Sequence, residues 1–180
     1  MAFSLSGWRN FNILNETLCT LMRIRKFRNS DAVELARLHR STIRNVNSQD
    51  YPKKQIDVWS GRVSVKRFRK SAHENVRFVA IDDEKIIGFA DYKKDDLMGL
   101  YIHKNYTRKG VGKKLLQRLE KDAYQNGLRT MKCISTITAN KFYEKNRYCT
   151  IKKTKHQMGN QKLTVYKMKK KLNKPLPSNN

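Results

Sequence analysis

Cysteine is scarce in this chain of 180 residues: Cys19, Cys133 and Cys149 are the only three, and none has CxxC spacing. An odd, scattered set excludes a disulfide framework and a thiolate zinc site, and it suits free thiols in a reducing cytoplasm. Long apolar runs are missing too. No stretch approaches the ~18 residues of a membrane span. The opening segment, MAFSLSGWRNFNILNETLCTLM, lacks the charged, apolar, small-residue order of a secretory signal. Histidines are few and dispersed, and His73-Glu74 lacks the second histidine four residues on that a zinc-protease helix requires.

Acids are the deficit with the most consequence. Fifteen Asp and Glu against 40 Lys and Arg leave a net charge of +25. Two readings follow. One is a nucleic-acid binder, because Lys and Arg neutralise phosphates without regard to sequence. The other is a soluble enzyme from a basic proteome, or one with acidic partners. No acid follows Glu144, whereas Lys145, Arg147 and nine further lysines do, and six of the fifteen acids fall between Asp82 and Asp96. This asymmetry predicts a basic C-terminal face and a local acidic patch, with weak, non-specific nucleic-acid binding.

What is present is concentrated in Tyr101 to Leu116, YIHKNYTRKGVGKKLL. An apolar strand runs into a glycine loop and then into an amphipathic helix. The first helical N–H groups have no internal partner and carry the positive end of the helix dipole, which makes an anion site. Arg108, Lys109, Lys113 and Lys114 add full charges, and Gly110 and Gly112 leave room for a phosphate to approach the main chain. Two common phosphate motifs do not fit. For the nucleotide P-loop, Thr107 stands where the first glycine belongs and Lys114 where Ser or Thr belongs. For the dinucleotide fingerprint, Leu115 replaces the third glycine.

The pattern that does fit is Gln/Arg-x-x-Gly-x-Gly/Ala, over Thr107 to Gly112, with Thr107 as its one departure. Here the chain resembles the GCN5-related N-acetyltransferases (GNAT), small bacterial-type members in particular, whose loop of this form binds the pyrophosphate of acetyl-coenzyme A. Two further segments carry the resemblance. Ser135 to Tyr148, STITANKFYEKNRY, is similar to the family's second signature, and Ile24 to Trp59 resembles its opening, including the N-x-x-DY turn at Asn47 to Tyr51. Together they cover about Arg23 to Lys171.

The resemblance implies an α/β (α+β) fold with a mixed, strongly twisted sheet of six to seven strands and helices on both faces. It implies an acetyl-CoA-dependent N-acetyltransferase that acetylates a primary amine of a small molecule or peptide by direct transfer. The implied cofactor-binding residues are Tyr101, Ile102, His103, Thr107, Arg108, Lys109, Gly110, Val111, Gly112, Lys113, Asn140 and Tyr143. The Ile102 N–H becomes the oxyanion donor, the same strand edge pairs with the pantetheine arm, and Tyr143 lies near the cofactor sulfur as proton donor to the leaving thiolate. No metal is implied. For a general base, Met98 and Ile134 occupy positions where acids are looked for, which leaves Asp91 and His103 as candidates. The alternative keeps the fold and loses catalysis: an acyl-CoA-binding or nucleic-acid-binding regulatory module. Location in the cytoplasm and a monomer or homodimer are expected.

Periodicity and turn residues predict the element order. Strands are expected over Ile24–Phe27, Val76–Ile81, Lys85–Lys93, Leu97–His103 and Thr130–Ser135, with a closing hairpin of Tyr148–Gln157 and Lys162–Lys170 around Gly159-Asn160. Helices are expected over Asp31–Val46, from Pro52 through Trp59, over Val63–Ala72 and Val111–Gln125, and over Thr138–Lys145 with Thr138 as cap. Residues 1–22 read as an extension outside the acetyltransferase domain of 23–171, or as an upstream start read through, because Met22-Arg23-Ile24-Arg25 resembles a family start. A docked amphipathic helix using Phe11, Leu14, Leu18 and Leu21 is the other reading. Residues 172–180 read as a flexible tail.

Overall fold

The computed structural model describes residues 22–174, so the expected N-terminal extension and most of the expected tail lie outside the described residues. The strands are β1 (Arg23–Lys26), β2 (Val76–Asp82), β3 (Lys85–Lys93), β4 (Asp96–Ile102), β5 (Thr130–Thr136), β6 (Cys149–Met158) and β7 (Gln161–Lys171). The helices are α1 (Ala32–Asn45), α2 (Lys53–Gly61), α3 (Val65–Lys70), α4 (Val111–Gln125) and α5 (Ile137–Lys145). One seven-stranded sheet takes the order β1-β2-β3-β4-β5-β7-β6. Only β4 and β5 are parallel. A parallel pair needs a crossover, and α4 supplies it.

The sheet divides two apolar clusters. On one face α4 and α5 bury Leu115, Leu116, Leu119 and Tyr143 against Phe78, Ala90, Leu97 and Met131. Fully burying each leucine contributes roughly 1.5–3 kcal/mol. On the other face α1, α2 and α3 bury Leu35, Ile43, Ile56, Trp59 and Phe68 against Val79, Phe89, Leu163 and Val165. The α4 helix ends as its Asn-Gly pair predicts. Gly127 has φ 88°, and the Leu128 N–H bonds the Ala123 carbonyl at 3.0 Å.

Several boundaries differ from the sequence reading, each for a local reason. The α5 helix starts earlier than expected because Thr136, not Thr138, is its cap, accepting from the Ala139 N–H at 3.2 Å. The Thr138 hydroxyl instead accepts from Asn47 Nδ2 at 3.4 Å. The α3 helix starts at Val65 because the Ser64 hydroxyl caps it through the Arg67 N–H at 3.2 Å. Leu172, expected in the flexible tail, is buried, and its N–H bonds the Arg129 carbonyl at 2.9 Å.

The N-x-x-DY turn gains a physical meaning in the fold. Tyr51 is buried, its hydroxyl donates to the Thr164 carbonyl of β7 at 2.6 Å, and it accepts from the Ile137 N–H at the start of α5 at 2.9 Å. One side chain thus ties the α1–α2 connection to β7 and α5. Tyr51→Phe keeps the ring and strands both backbone groups, so unfolding in denaturant is expected to show a loss of roughly 1–3 kcal/mol. A stability equal to that of the parent protein would mean that water replaces the hydroxyl at no cost.

Candidate active site

The parallel pair at the centre of the sheet is short. Only Asp96 with Lys132 and Leu97 with Cys133 are in register, and from Met98 and Ile134 onward the two strands part. Each remains paired on its outer side, β4 with β3 as far as Ile102 and β5 with β7 as far as Thr136. A wedge therefore opens inside the sheet, with one unpaired backbone edge on each strand. The His103 N–H bonds the Ile87 carbonyl of β3 at 2.8 Å. Successive N–H groups of a strand point to opposite sides, so the Ile102 N–H points into the wedge. Where the strands part, Asp91 pairs with Gly99 and Tyr92 with Leu97, which leaves Met98 as an extra residue. This is a β-bulge, a device that re-aims a strand and is frequent beside active sites.

The N-terminus of α4 lies against this wedge. Arg108 (φ 60°) and Gly110 (φ 81°) are both left-handed and curl the loop tightly before Val111. The first helical bond runs from the Lys114 N–H to the Gly110 carbonyl at 3.1 Å, so the N–H groups of Val111, Gly112 and Lys113 have no partner within the helix. Arg108, Lys109 and Lys113 are exposed around them, with the Lys109 ammonium 5.5 Å from the centre of the Tyr106 ring. The Thr107 hydroxyl donates to the Lys104 carbonyl at 2.9 Å and so pins the loop from within.

The two glycines sit in different surroundings. A Cβ on Gly110 would meet nothing within 4 Å, so that position needs glycine for its left-handed backbone and leaves its outer side open. A Cβ on Gly112 would lie 3.4 Å from Phe142 Cε2 and 3.6 Å from Leu100 Cδ2. Gly112 thus faces Phe142 of α5 and Leu100 of β4 at ordinary van der Waals distance. That contact also places the α4 N-terminus, β4 and α5 around one opening.

On α5, Asn140 donates to Glu144 Oε1 at 2.8 Å, while its own Oδ1 is buried with no hydrogen-bond partner among the described residues. Tyr143 is buried, with its ring edge-on to Phe142 at 5.2 Å and Tyr148 at 5.3 Å. Burial pushes its phenol well above the ordinary value, and the neighbouring Cys133 and Tyr101 act in the same direction. Burial likewise pushes the Cys133 thiol up to about 12, so both groups keep their protons at neutral pH.

The remaining candidates fall elsewhere. Tyr101 sends its side chain to the α1–α3 face, stacked on Phe89 at 5.2 Å and 3.9 Å from the His39 ring centre. His103 continues the β3–β4 pairing and caps the turn at Lys104–Tyr106, where its Nδ1 accepts from the Asn105 N–H at 3.4 Å. Asp91 is a counter-ion in the core and not a carboxylate open to the cleft. Its Oδ2 accepts from Arg77 Nη2 at 2.7 Å, Arg77 Nε at 3.1 Å and Asn75 Nδ2 at 2.9 Å. Both members of the pair are buried. The Arg77 guanidinium also lies 4.9 Å from the ring centres of Phe27 and Phe68.

Two features of the site escaped the sequence reading, which named Met98 only as a strand position without an acid. Met98 forms the bulge, which no local composition marks. Thr42 Oγ1 lies 3.0 Å from the Leu38 carbonyl and 3.1 Å from the Ile102 carbonyl, linking α1 to the last residue of β4. A threonine in a helix gives no sign of such a contact.

Comparison with known proteins agrees with this architecture. The family model for the acetyltransferase (GNAT) domain matches residues 47–172. The uncharacterized N-acetyltransferase YafP of Escherichia coli K12 is 25% identical over 131 residues, covering 73% of this chain and 83% of its own. Two solved structures share the fold. A GCN5-related N-acetyltransferase of Rhodopseudomonas palustris superposes with a TM-score of 0.79 at 24% identity, covering 83% of this chain and 95% of its own. The PaiA N-acetyltransferase of Thermoplasma acidophilum, solved in complex with coenzyme A, gives 0.71 at 23% identity, with 83% and 98% covered. The chain belongs to the GNAT family of N-acetyltransferases.

Proposed function

We propose that the protein moves an acetyl group from acetyl-CoA to a primary amine of a small molecule or peptide by direct transfer. The observation that carries this reading is the β4–β5 wedge with the unpartnered N-terminus of α4 at its mouth. The relative from Thermoplasma acidophilum, solved with coenzyme A on the same fold, supports it. In this reading the pyrophosphate is held by the N–H groups of Val111, Gly112 and Lys113, with Arg108, Lys109 and Lys113 neutralising its charge. The amides of the pantetheine arm pair with the open edge of β4 and come within reach of the buried Asn140 Oδ1. Acetyl-CoA supplies an activated thioester carbonyl. The Ile102 N–H stabilises the negative charge that its oxygen acquires as the amine attacks. The C–N bond forms, the C–S bond breaks, Tyr143 protonates the sulfur, the surplus amine proton passes to water, and water returns a proton to the Tyr143 phenolate. Asp91 and His103 take no proton in this scheme, because one is ion-paired in the core and the other caps a turn. We place the enzyme in the cytoplasm, which supplies acetyl-CoA and keeps Cys133 and Cys149 as free thiols.

Thermal unfolding tests the binding site. A ligand at about one hundred times its Kd stabilises a folded protein by roughly 2.7 kcal/mol, so acetyl-CoA at that excess is expected to raise Tm. Gly110→Val forces a β-branched residue into the left-handed region and breaks the curl of the loop. The variant is expected to fold and to lose the acetyl-CoA shift. An undiminished shift would move the pyrophosphate site away from this loop.

A further inference from the structure

On the α1–α3 side of the sheet, Leu163 and Val165 of β7 pack in one apolar cluster with Ile56 and Trp59 of α2. Beyond Val165 nothing among the described residues buries that face. Alternation along β7 puts Lys167 and Lys169 on the same face as Val165, and the register places them beside Ile134 and Lys132 of β5. On the outer side, Lys152 of β6 faces Lys167. Two lysine pairs, Lys132 with Lys169 and Lys152 with Lys167, thus stand directly opposite one another on neighbouring strands, an arrangement that weakens a sheet. All four are exposed. Lys132 has Asp95 at 2.6 Å, and none of the other three has a carboxylate partner among the described residues. Beside this frame Ile134 is 50% exposed, and Met98, at the vertex where β4 and β5 begin to part, is 55% exposed.

We propose that this face docks the acceptor, and that the acceptor is an acidic polypeptide segment with an aliphatic side chain a few residues from its reacting amine. The inference rests on the wedge being the site of acetyl transfer. Neighbouring strands lie about 4.8 Å apart, so one carboxylate reaches both Lys152 and Lys167 and removes their mutual repulsion, and a second pairs with Lys169, whose neighbour Lys132 is held by Asp95. Ile134 and Met98 then cover an aliphatic side chain at the vertex where the two strands part, four residues along β4 from the Ile102 N–H. A nucleic acid fits this face less well. The apolar groups at its centre are aliphatic and offer no aromatic surface for a base to stack on, and its cations are all lysines. A second copy of the chain would bring the same lysines and be repelled.

The test uses the full chain and short peptides with a free N-terminus and a fluorophore at the C-terminus. Their compositions are Glu with Leu, Gln with Leu, and Lys with Leu, and a single-stranded RNA serves as competitor. Anisotropy is expected to show the Glu peptide binding about tenfold or more tightly than the Gln peptide at low salt, with the difference shrinking as salt rises. In the double variant Lys167→Glu with Lys169→Glu, affinity for the Glu peptide is expected to fall about tenfold or more. These side chains are exposed, and the acetyl-CoA shift in Tm is expected to persist. Mass spectrometry of the peptides is expected to show faster acetylation of the Glu peptide. Equal binding of all peptides, indifference to the charge reversal, or RNA displacing the Glu peptide at far lower concentration would each overturn the acidic dock. Preferred acetylation of the Lys peptide would overturn it while leaving acetyl transfer intact. Charge-dependent binding of the Glu peptide without any acetyl-CoA shift or product would support the dock and overturn the transfer reading.

Discussion

Tyr143→Phe is expected to lower kcat by about 10²–10⁴ while leaving the acetyl-CoA shift in Tm nearly unchanged. The substitution removes one oxygen and retains a ring held edge-on between Phe142 and Tyr148, so the packing of α5 survives. The size of the loss is that of a general acid, equivalent to about 2.7–5.4 kcal/mol of barrier. Burial fixes the direction of its proton traffic. With the phenol held well above its ordinary pKa, Tyr143 stays protonated at neutral pH and can give a proton to a departing thiolate but not take one from the amine. Single-turnover rates and acetyl-CoA binding, measured on the same preparation, separate the roles. A variant with weakened binding and an intact chemical step would make the hydroxyl a positioning group. Full single-turnover activity would remove Tyr143 from the mechanism.

Asp91→Ala is expected to destabilise the protein by about 3–5 kcal/mol, because it leaves the buried Arg77 guanidinium without its counter-ion. For a chain of this size that corresponds to a drop in Tm of roughly 6–20 °C. Arg77 retains bonds to the Phe68 carbonyl at 3.3 Å and the Ser71 hydroxyl at 2.9 Å, but among the described residues no other carboxylate pairs with it. Replacing both partners by apolar residues, Arg77→Met with Asp91→Leu, is expected to recover most of the loss, since a buried pair is often exchangeable for packed hydrocarbon. Recovery of stability together with activity in the double variant would establish Asp91 as a counter-ion. A stable double variant with no turnover would return Asp91 to the list of candidate bases.

The parts of this protein legible in one dimension are those whose causes lie within a few residues of one another. The loop from Thr107 to Gly112, the buried stripe of α4 and its Asn-Gly stop, the Gly159-Asn160 hairpin and the order of the strands all follow from periodicity and turn chemistry, and the structure has them. The resemblance supplied the family, because three short signatures in the right order survive divergence in the rest of the chain.

The tertiary structure decided what depends on residues far apart. Asp91 reads as an available strand carboxylate until the fold brings Arg77 and Asn75 to it. Gly112 gives no sign in the sequence that Phe142 of α5 and Leu100 of β4 lie beside it. Tyr51 gains its two partners from segments 86 and 113 residues away. The bulge at Met98 and the parting of β4 from β5 leave no local mark, because strand register is settled by pairing with a neighbour and not by the strand itself. The lysines follow the same rule. Their number is a property of the sequence, but only the register of β5, β7 and β6 sets them opposite one another beside the wedge, since charge is carried by single residues and an electrostatic field by their arrangement in space.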